Sequence, residues 1–119
     1  MDYLLVGIGG AFGSIVRYKL GKVISLKSKT KFPLGTFIIN ITGAFILGIV
    51  SSIGVSANLT HLLADGFLGG YTTFSTFMYE GFNLFNEKEK LNAFTYILTS
   101  LILGVIGFII GTKIGFLLK

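Results

Sequence analysis

The chain has 119 residues, of which 52% are hydrophobic and only 13% charged, and its mean hydropathy is +0.82; that balance lies outside the range of soluble domains and is that of a membrane protein. The length leaves no room for several domains, so residues 1–119 read as one transmembrane domain. A chain without cysteine has no disulfide framework, thiolate metal site or catalytic thiol, and its formal charge of +5 comes from ten Lys and Arg against five Asp and Glu.

Set against the roughly 20 residues that a helix needs to cross about 30 Å of hydrocarbon, the sequence predicts four spans, over residues 3–24, 34–53, 59–85 and 91–115. The chain starts Met1-Asp2-Tyr3 and runs straight into an apolar stretch, with neither the basic n-region nor the small-residue cleavage site of a signal peptide. The N-terminus is therefore expected to be mature and membrane-spanning. The first span is apolar for 14 residues before Arg17, the only arginine. Arg17 lies roughly 20 Å along that helix, where a long side chain could snorkel to the interface or attract anions at a pore mouth. Gly9 and Gly13 are small residues that let helices approach closely.

The second span carries no charge and starts after Pro33, the only proline, which suits a first helical turn. Thr36, Asn40 and Gly43 repeat at i, i+4, i+7 and share one stripe. The Asn40 amide has donors and an acceptor, enough either to orient a bound anion or to join two helices.

The third span is the least regular. It holds Asp65 and Glu80, with 14 residues between them, and the run Gly69-Gly70-Tyr71-Thr72-Thr73-Phe74-Ser75-Thr76-Phe77. A lipid-buried helix does not need so many hydroxyls for its stability, so their density points to a small polar species passing or binding there. Two adjacent glycines, each costing about 1 kcal/mol in a helix relative to alanine, mark a candidate interruption. Freed carbonyls would then serve as ligands for a small hard cation; alternatively the pair only permits close packing. On an ideal helix Thr72, Ser75, Thr76 and Tyr79 gather on one side, with Phe74 and Phe77 nearly opposite. Hydroxyls replace the water shell of a desolvating ion. The phenylalanines either pack conventionally or turn their positive ring edges to a small anion. His61 reads as a boundary residue, Asp65 as a helix-start residue, and Glu80 as the partner of a basic group.

The fourth span is uncharged from Leu91 to Thr112, and Gly107, Gly111 and Gly115 are assigned to packing. Nowhere does the sequence place a nucleophile with its base, a phosphate loop or a carboxylate pair, so an enzyme is not expected.

Three segments together carry a resemblance: residues 10–18 (GAFGSIVRY), 33–43 (PLGTFIINITG) and 69–77 (GGYTTFSTF). In this order and spacing they are similar to the CrcB/Fluc family of fluoride channels, over all four spans. The resemblance implies an all-α membrane protein that passively exports fluoride, built as an antiparallel, dual-topology dimer of four-helix subunits whose third helix is broken near Gly69-Gly70. It also implies two fluoride paths and a sodium ion at the centre of the interface. Carried over by position, Phe74 and Phe77 would be the rings that face fluoride, Asn40 the amide donor beside them, and Ser75 and Thr76 part of a polar track. Tyr96 and Ser100, one turn apart on the fourth span, would complete that track, although no motif anchors that part of the match. Arg17 would stand in the vestibule, and the backbone carbonyls of Gly69 and Thr72 would hold the sodium.

Loop charges bear on the partner. With four spans, the side of the first and third loops carries Arg17, Lys19, Lys22, Lys27, Lys29, Lys31, Lys88 and Lys90, and the side of the termini only Lys113 and Lys119. The positive-inside rule puts those loops in the cytoplasm of a plasma-membrane, multi-pass protein. A chain that must insert both ways should show little such bias, so a heterodimer with an oppositely biased relative stays open. The complete motif set favours a homodimer. The rival readings are a small multidrug exporter, which would want a carboxylate in the first span where residues 3–16 have none, and an assembly protein whose helices only pack.

Overall fold

Helices form where the uncharged stretches predict them, in a computed structural model that describes residues 2–28 and 32–119. The helix α1 covers Asp2–Lys27 and α2 covers Leu34–Ser52, the latter starting directly after Pro33. Lys29 and Lys31 of the first loop lie outside the described residues. At the end of α2, Gly54 turns the chain with φ +85, in the left-handed region open to glycine. The next helix, α3, begins at Ser56, whose hydroxyl accepts from the Leu59 amide at 3.3 Å as an N-cap. Its first half runs through Ala57–Thr60, the π-helical His61–Leu68 and Gly69–Tyr71; its second half is Ser75–Asn86. After a turn in which Lys88 takes φ 63, α4 covers Lys90–Leu118. Its 29 residues span about 43 Å at 1.5 Å per residue, nearly the whole 47 Å long axis of the molecule.

Two packing seams build the bundle, and glycine makes both. Between α1 and the first half of α3, a Cβ on Gly13 would strike the Phe67 carbonyl, and one on Gly66 would stand 2.8 Å from the Val6 carbonyl. Between α2 and α4, a Cβ on Gly48 would run into the Phe108 carbonyl and one on Gly111 into that of Phe45. Lipid supplies no hydrophobic drive between helices, so backbone-to-backbone contact of this kind is how they adhere. The packing assigned to Gly9, Gly13, Gly111 and Gly115 matches these seams, whereas Gly107 sits more loosely, 3.5 Å from the nearest atom. One apolar cluster joins Ile39 to Leu68 and Tyr71; a second joins Phe77 and Leu84 to Ala93 and Tyr96.

The exterior is greasy. Along α4, Leu98, Leu101, Ile102, Val105, Ile106 and Ile109 all face outward, an exposed apolar surface of the kind that marks membrane or subunit contacts. By length and composition α2 and α4 are the helices apolar enough to cross a membrane among the described residues; α1 carries Arg17, Lys19, Lys22 and Lys27 in its second half.

The break in α3 falls at residues 72–74 rather than at the glycine pair. Gly69 and Gly70 are helical, and Thr72 is extended, with φ −83 and ψ 160. The reason lies in packing: a Cβ on Gly70 would overlap the Gly10 carbonyl of α1, so Gly70 serves the seam and keeps its helical conformation. Asp65 likewise does not start a helix. It sits within the π-helical turn and pairs with His61, one turn back, at 2.9 Å.

Candidate functional site

The break is docked on α2 by three consecutive residues. Tyr71 shares a hydroxyl–hydroxyl bond of 2.9 Å with Thr42. Thr72 fits against Gly43, where a Cβ would overlap its methyl group. Thr73 pairs through its whole peptide unit with Asn40: its N–H donates to Asn40 Oδ1 at 2.9 Å, and its carbonyl accepts from Asn40 Nδ2 at 2.8 Å. Backbone freed from a helix must find partners in a dry setting, and here the stripe that the sequence marks at Asn40 and Gly43 provides them. The Thr72 hydroxyl turns back to the Leu68 carbonyl at 2.9 Å, and the Thr73 hydroxyl caps the second half of α3 by accepting from the Thr76 amide at 3.2 Å.

Because the helix is interrupted, the faces drawn on an ideal wheel do not persist across it. Phe77 is 6% exposed and Phe74 73%, although their ring centroids lie 6.1 Å apart. Phe77 also lies 5.1 Å from the Tyr96 ring, centroid to centroid. Asn40, Phe74, Phe77 and Ser100 line one cavity of about 410 Å³ that reaches Gly69 and Thr72. Of the expected hydroxyl row, Thr76 lines a second cavity, while Ser75 is exposed and is not among the lining residues of either. Tyr96 is fully buried, with its hydroxyl close to Thr36 and Glu80 but in no well-formed hydrogen bond, and the Ser100 hydroxyl has no hydrogen-bond partner among the described residues. A buried hydroxyl left unpaired costs about 1–3 kcal/mol; that of Ser100 belongs to a residue lining the first cavity, where a polar guest would satisfy it, whereas Tyr96, like Ser75, lines neither cavity.

The second cavity, of about 540 Å³, opens beside α1 and is lined by Arg17, Lys22, Thr36, Thr76 and Glu80, among others. Arg17 places Nη1 3.4 Å from the Thr72 carbonyl, so this guanidinium touches the break itself. Glu80 accepts a hydrogen bond from the Thr36 hydroxyl, a neutral partner where a basic one was expected. Thr36 and Glu80, noted in the sequence but given no place in the site, meet here. Their signal was present: Thr36 stands one turn before Asn40, and Glu80 one turn after Phe77.

The two carbonyls assigned to a cation have the chemistry for one. In an unbroken helix the Thr73 N–H would bond to the Gly69 carbonyl, but Asn40 has taken that donor. Gly69 is exposed, and a Cβ there would meet nothing closer than the Ala64 carbonyl at 3.9 Å. The Thr72 carbonyl already faces one cation, Arg17, and a carbonyl has a second lone pair to offer. Hard carbonyl oxygens of this kind suit an alkali or alkaline-earth ion.

Among the described residues the chain is an all-helical bundle with an apolar exterior, glycine seams and an interrupted helix, and two of its helices are long and apolar enough to cross a membrane. The model of the CrcB-like protein family (camphor resistance) matches residues 4–112, and the chain belongs to that family. It is 68% identical over 111 residues to the fluoride-specific ion channel FluC 2 of Clostridium acetobutylicum, covering 93% of this chain and 95% of that one. It is 43% identical to FluC 2 of Bacillus cereus, over 97% of this chain and 98% of the relative. With the FluC of a Hydrogenobaculum strain it shares 45% identity over 99% and 100% of the two chains.

Proposed function

We propose that this chain is a fluoride-selective channel of the plasma membrane, which exports fluoride passively and so lowers its toxicity. The observation that carries the reading is the 68% identity to a named fluoride channel, together with the Ser100 hydroxyl, buried and unpartnered among the described residues, on the cavity that Asn40, Phe74 and Phe77 also line. Hydrogen fluoride is a weak acid that enters cells in its neutral form and dissociates in a more alkaline cytoplasm. A pore that passes only the anion lets the trapped fluoride leave down its gradient.

Fluoride is small and strongly hydrated, so a selective path must be narrow and dry and must replace the lost water with fixed donors. Arg17 and Lys22 draw the anion into the vestibule. From there the hydroxyls of Thr76 and Ser100 act as donors along the path, with Tyr96 behind Phe77, the edges of the Phe74 and Phe77 rings and the remaining N–H of Asn40 beside it, while the Thr36 hydroxyl is already committed to Glu80. Ser75, outside both cavities, takes its place only if a second subunit closes over it.

The working unit in this reading is an antiparallel homodimer, four membrane-spanning helices per subunit, with two fluoride paths and a structural sodium ion at its centre, held by the carbonyls of Gly69 and Thr72. Supporting it are the exposure of Phe74, the open face of Gly69 and the apolar outer wall of α4. A fixed cation between the paths would also strengthen the field that favours an anion. In cells lacking fluoride export, expression of the chain is expected to keep internal fluoride low in acidic, fluoride-containing medium; accumulation equal to that of empty-vector cells would contradict export. A C-terminal tag should react on both membrane faces. A tag seen only outside would replace the homodimer with a pair of unlike subunits.

A further inference from the structure

The carboxamide of Asn40 is inserted into α3 as though it were a missing rung of the helix. An uninterrupted helix would bond the Thr73 N–H to the Gly69 carbonyl and the Thr73 carbonyl to the Phe77 N–H. Asn40 takes both ends of that peptide unit, with bonds of 2.9 and 2.8 Å, and a primary amide offers the same donor and acceptor as the peptide group it meets. Neighbouring residues of α2 hold the break as well, since Gly43 makes room for Thr72 and Thr42 bonds the Tyr71 hydroxyl.

We infer that Asn40 is a positioning residue for the cation site: by diverting the Thr73 N–H from the Gly69 carbonyl, it holds the break open and leaves that carbonyl free to bind the cation. The inference rests on the sodium reading given above and adds a cause for it. It also separates the two halves of the side chain. Oδ1, which accepts from Thr73, frees the Gly69 carbonyl; Nδ2, which donates to the Thr73 carbonyl and keeps a second N–H, serves the geometry of the anion path. Without Oδ1, the Thr73 amide returns to the nearest available acceptor, and in a helix that acceptor is Gly69.

The test is thermal unfolding of the purified full-length protein, with sodium chloride titrated against N-methyl-D-glucamine chloride at constant ionic strength. In the unaltered protein sodium raises the unfolding temperature with a definite half-point. Asn40→Leu, which has similar bulk and no acceptor, and Asn40→Ser, too short to reach Thr73, each move that half-point up by about tenfold or remove the sodium effect, as expected for a ligand tied up in a helical hydrogen bond. Asn40→Asp keeps the acceptor and so keeps the sodium-dependent rise, with a half-point at or below that of the unaltered protein because the carboxylate also attracts the cation. A half-point within about twofold of the unaltered one in both the Leu and Ser variants, less than one hydrogen bond is worth, overturns the role given to Asn40 while leaving the sodium site standing. No sodium effect in the unaltered protein overturns both. The readout is cation binding, so loss of fluoride flux for another reason does not imitate it.

Discussion

Replacing Phe74 with isoleucine lowers fluoride flux through reconstituted protein by about tenfold or more, the factor that roughly 1.4 kcal/mol added to a barrier produces. The substitution keeps apolar bulk and removes only the aromatic edge. Phe74 is 73% exposed within the subunit, so no core is disturbed and the subunit still folds. Phe77 is a less clean target, because it is 6% exposed and packs on Tyr96; truncation to alanine there costs about 3–5 kcal/mol of stability in addition to any effect on conduction. Replacing both rings abolishes flux. Flux in Phe74→Ile equal to that of the unaltered protein, measured with a fluoride electrode on liposomes, would show that the ring edge contributes nothing to permeation.

The largest effects on stability are expected where a methyl group would meet backbone. Gly13→Ala drives a Cβ into the Phe67 carbonyl, and Gly70→Ala drives one into the Gly10 carbonyl, both across the seam between α1 and α3. Backbone on each side leaves no flexible side chain to move aside, so each variant should lose about 1–3 kcal/mol or more, the cost of overpacking. Gly7→Ala is the control, because nothing lies within 4 Å of its Cβ position, and a helical alanine there gains up to about 1 kcal/mol over glycine. Thermal unfolding of the three variants should rank Gly7→Ala at or above the unaltered protein and the other two well below. Equal stability for all three would mean that the two helices are not in contact at these positions.

Helices were legible in the sequence because charge and proline punctuate it: Pro33 and the uncharged stretches mark α2 and α4 to within a few residues. The position of the break was not. Composition singles out the two glycines, but Gly70 is spent on the seam with α1, and the interruption is fixed two residues later by a partner on another helix, Asn40. A tertiary hydrogen bond of this kind leaves no local trace in α3. A helical wheel drawn through residues 72–79 likewise groups Ser75 with Thr76, although of the two only Thr76 lines a cavity, because the cavity walls are set by the other helices. Thr36 and Glu80 were readable as members of their stripes, but their meeting requires knowing that α2 and the second half of α3 are neighbours. Tyr96 and Ser100 were readable through the family resemblance alone; residue spacing on α4 would not have distinguished them from Thr95 and Thr99.

Selectivity for fluoride is the central claim, and anion efflux from liposomes tests it most directly. Liposomes containing the purified protein and loaded with potassium fluoride should release fluoride within the dead time of mixing once valinomycin supplies the counter-current. The same liposomes loaded with potassium chloride should retain their anion as well as protein-free liposomes do. Chloride released as fast as fluoride, or no fluoride release from well-folded protein, would contradict the account.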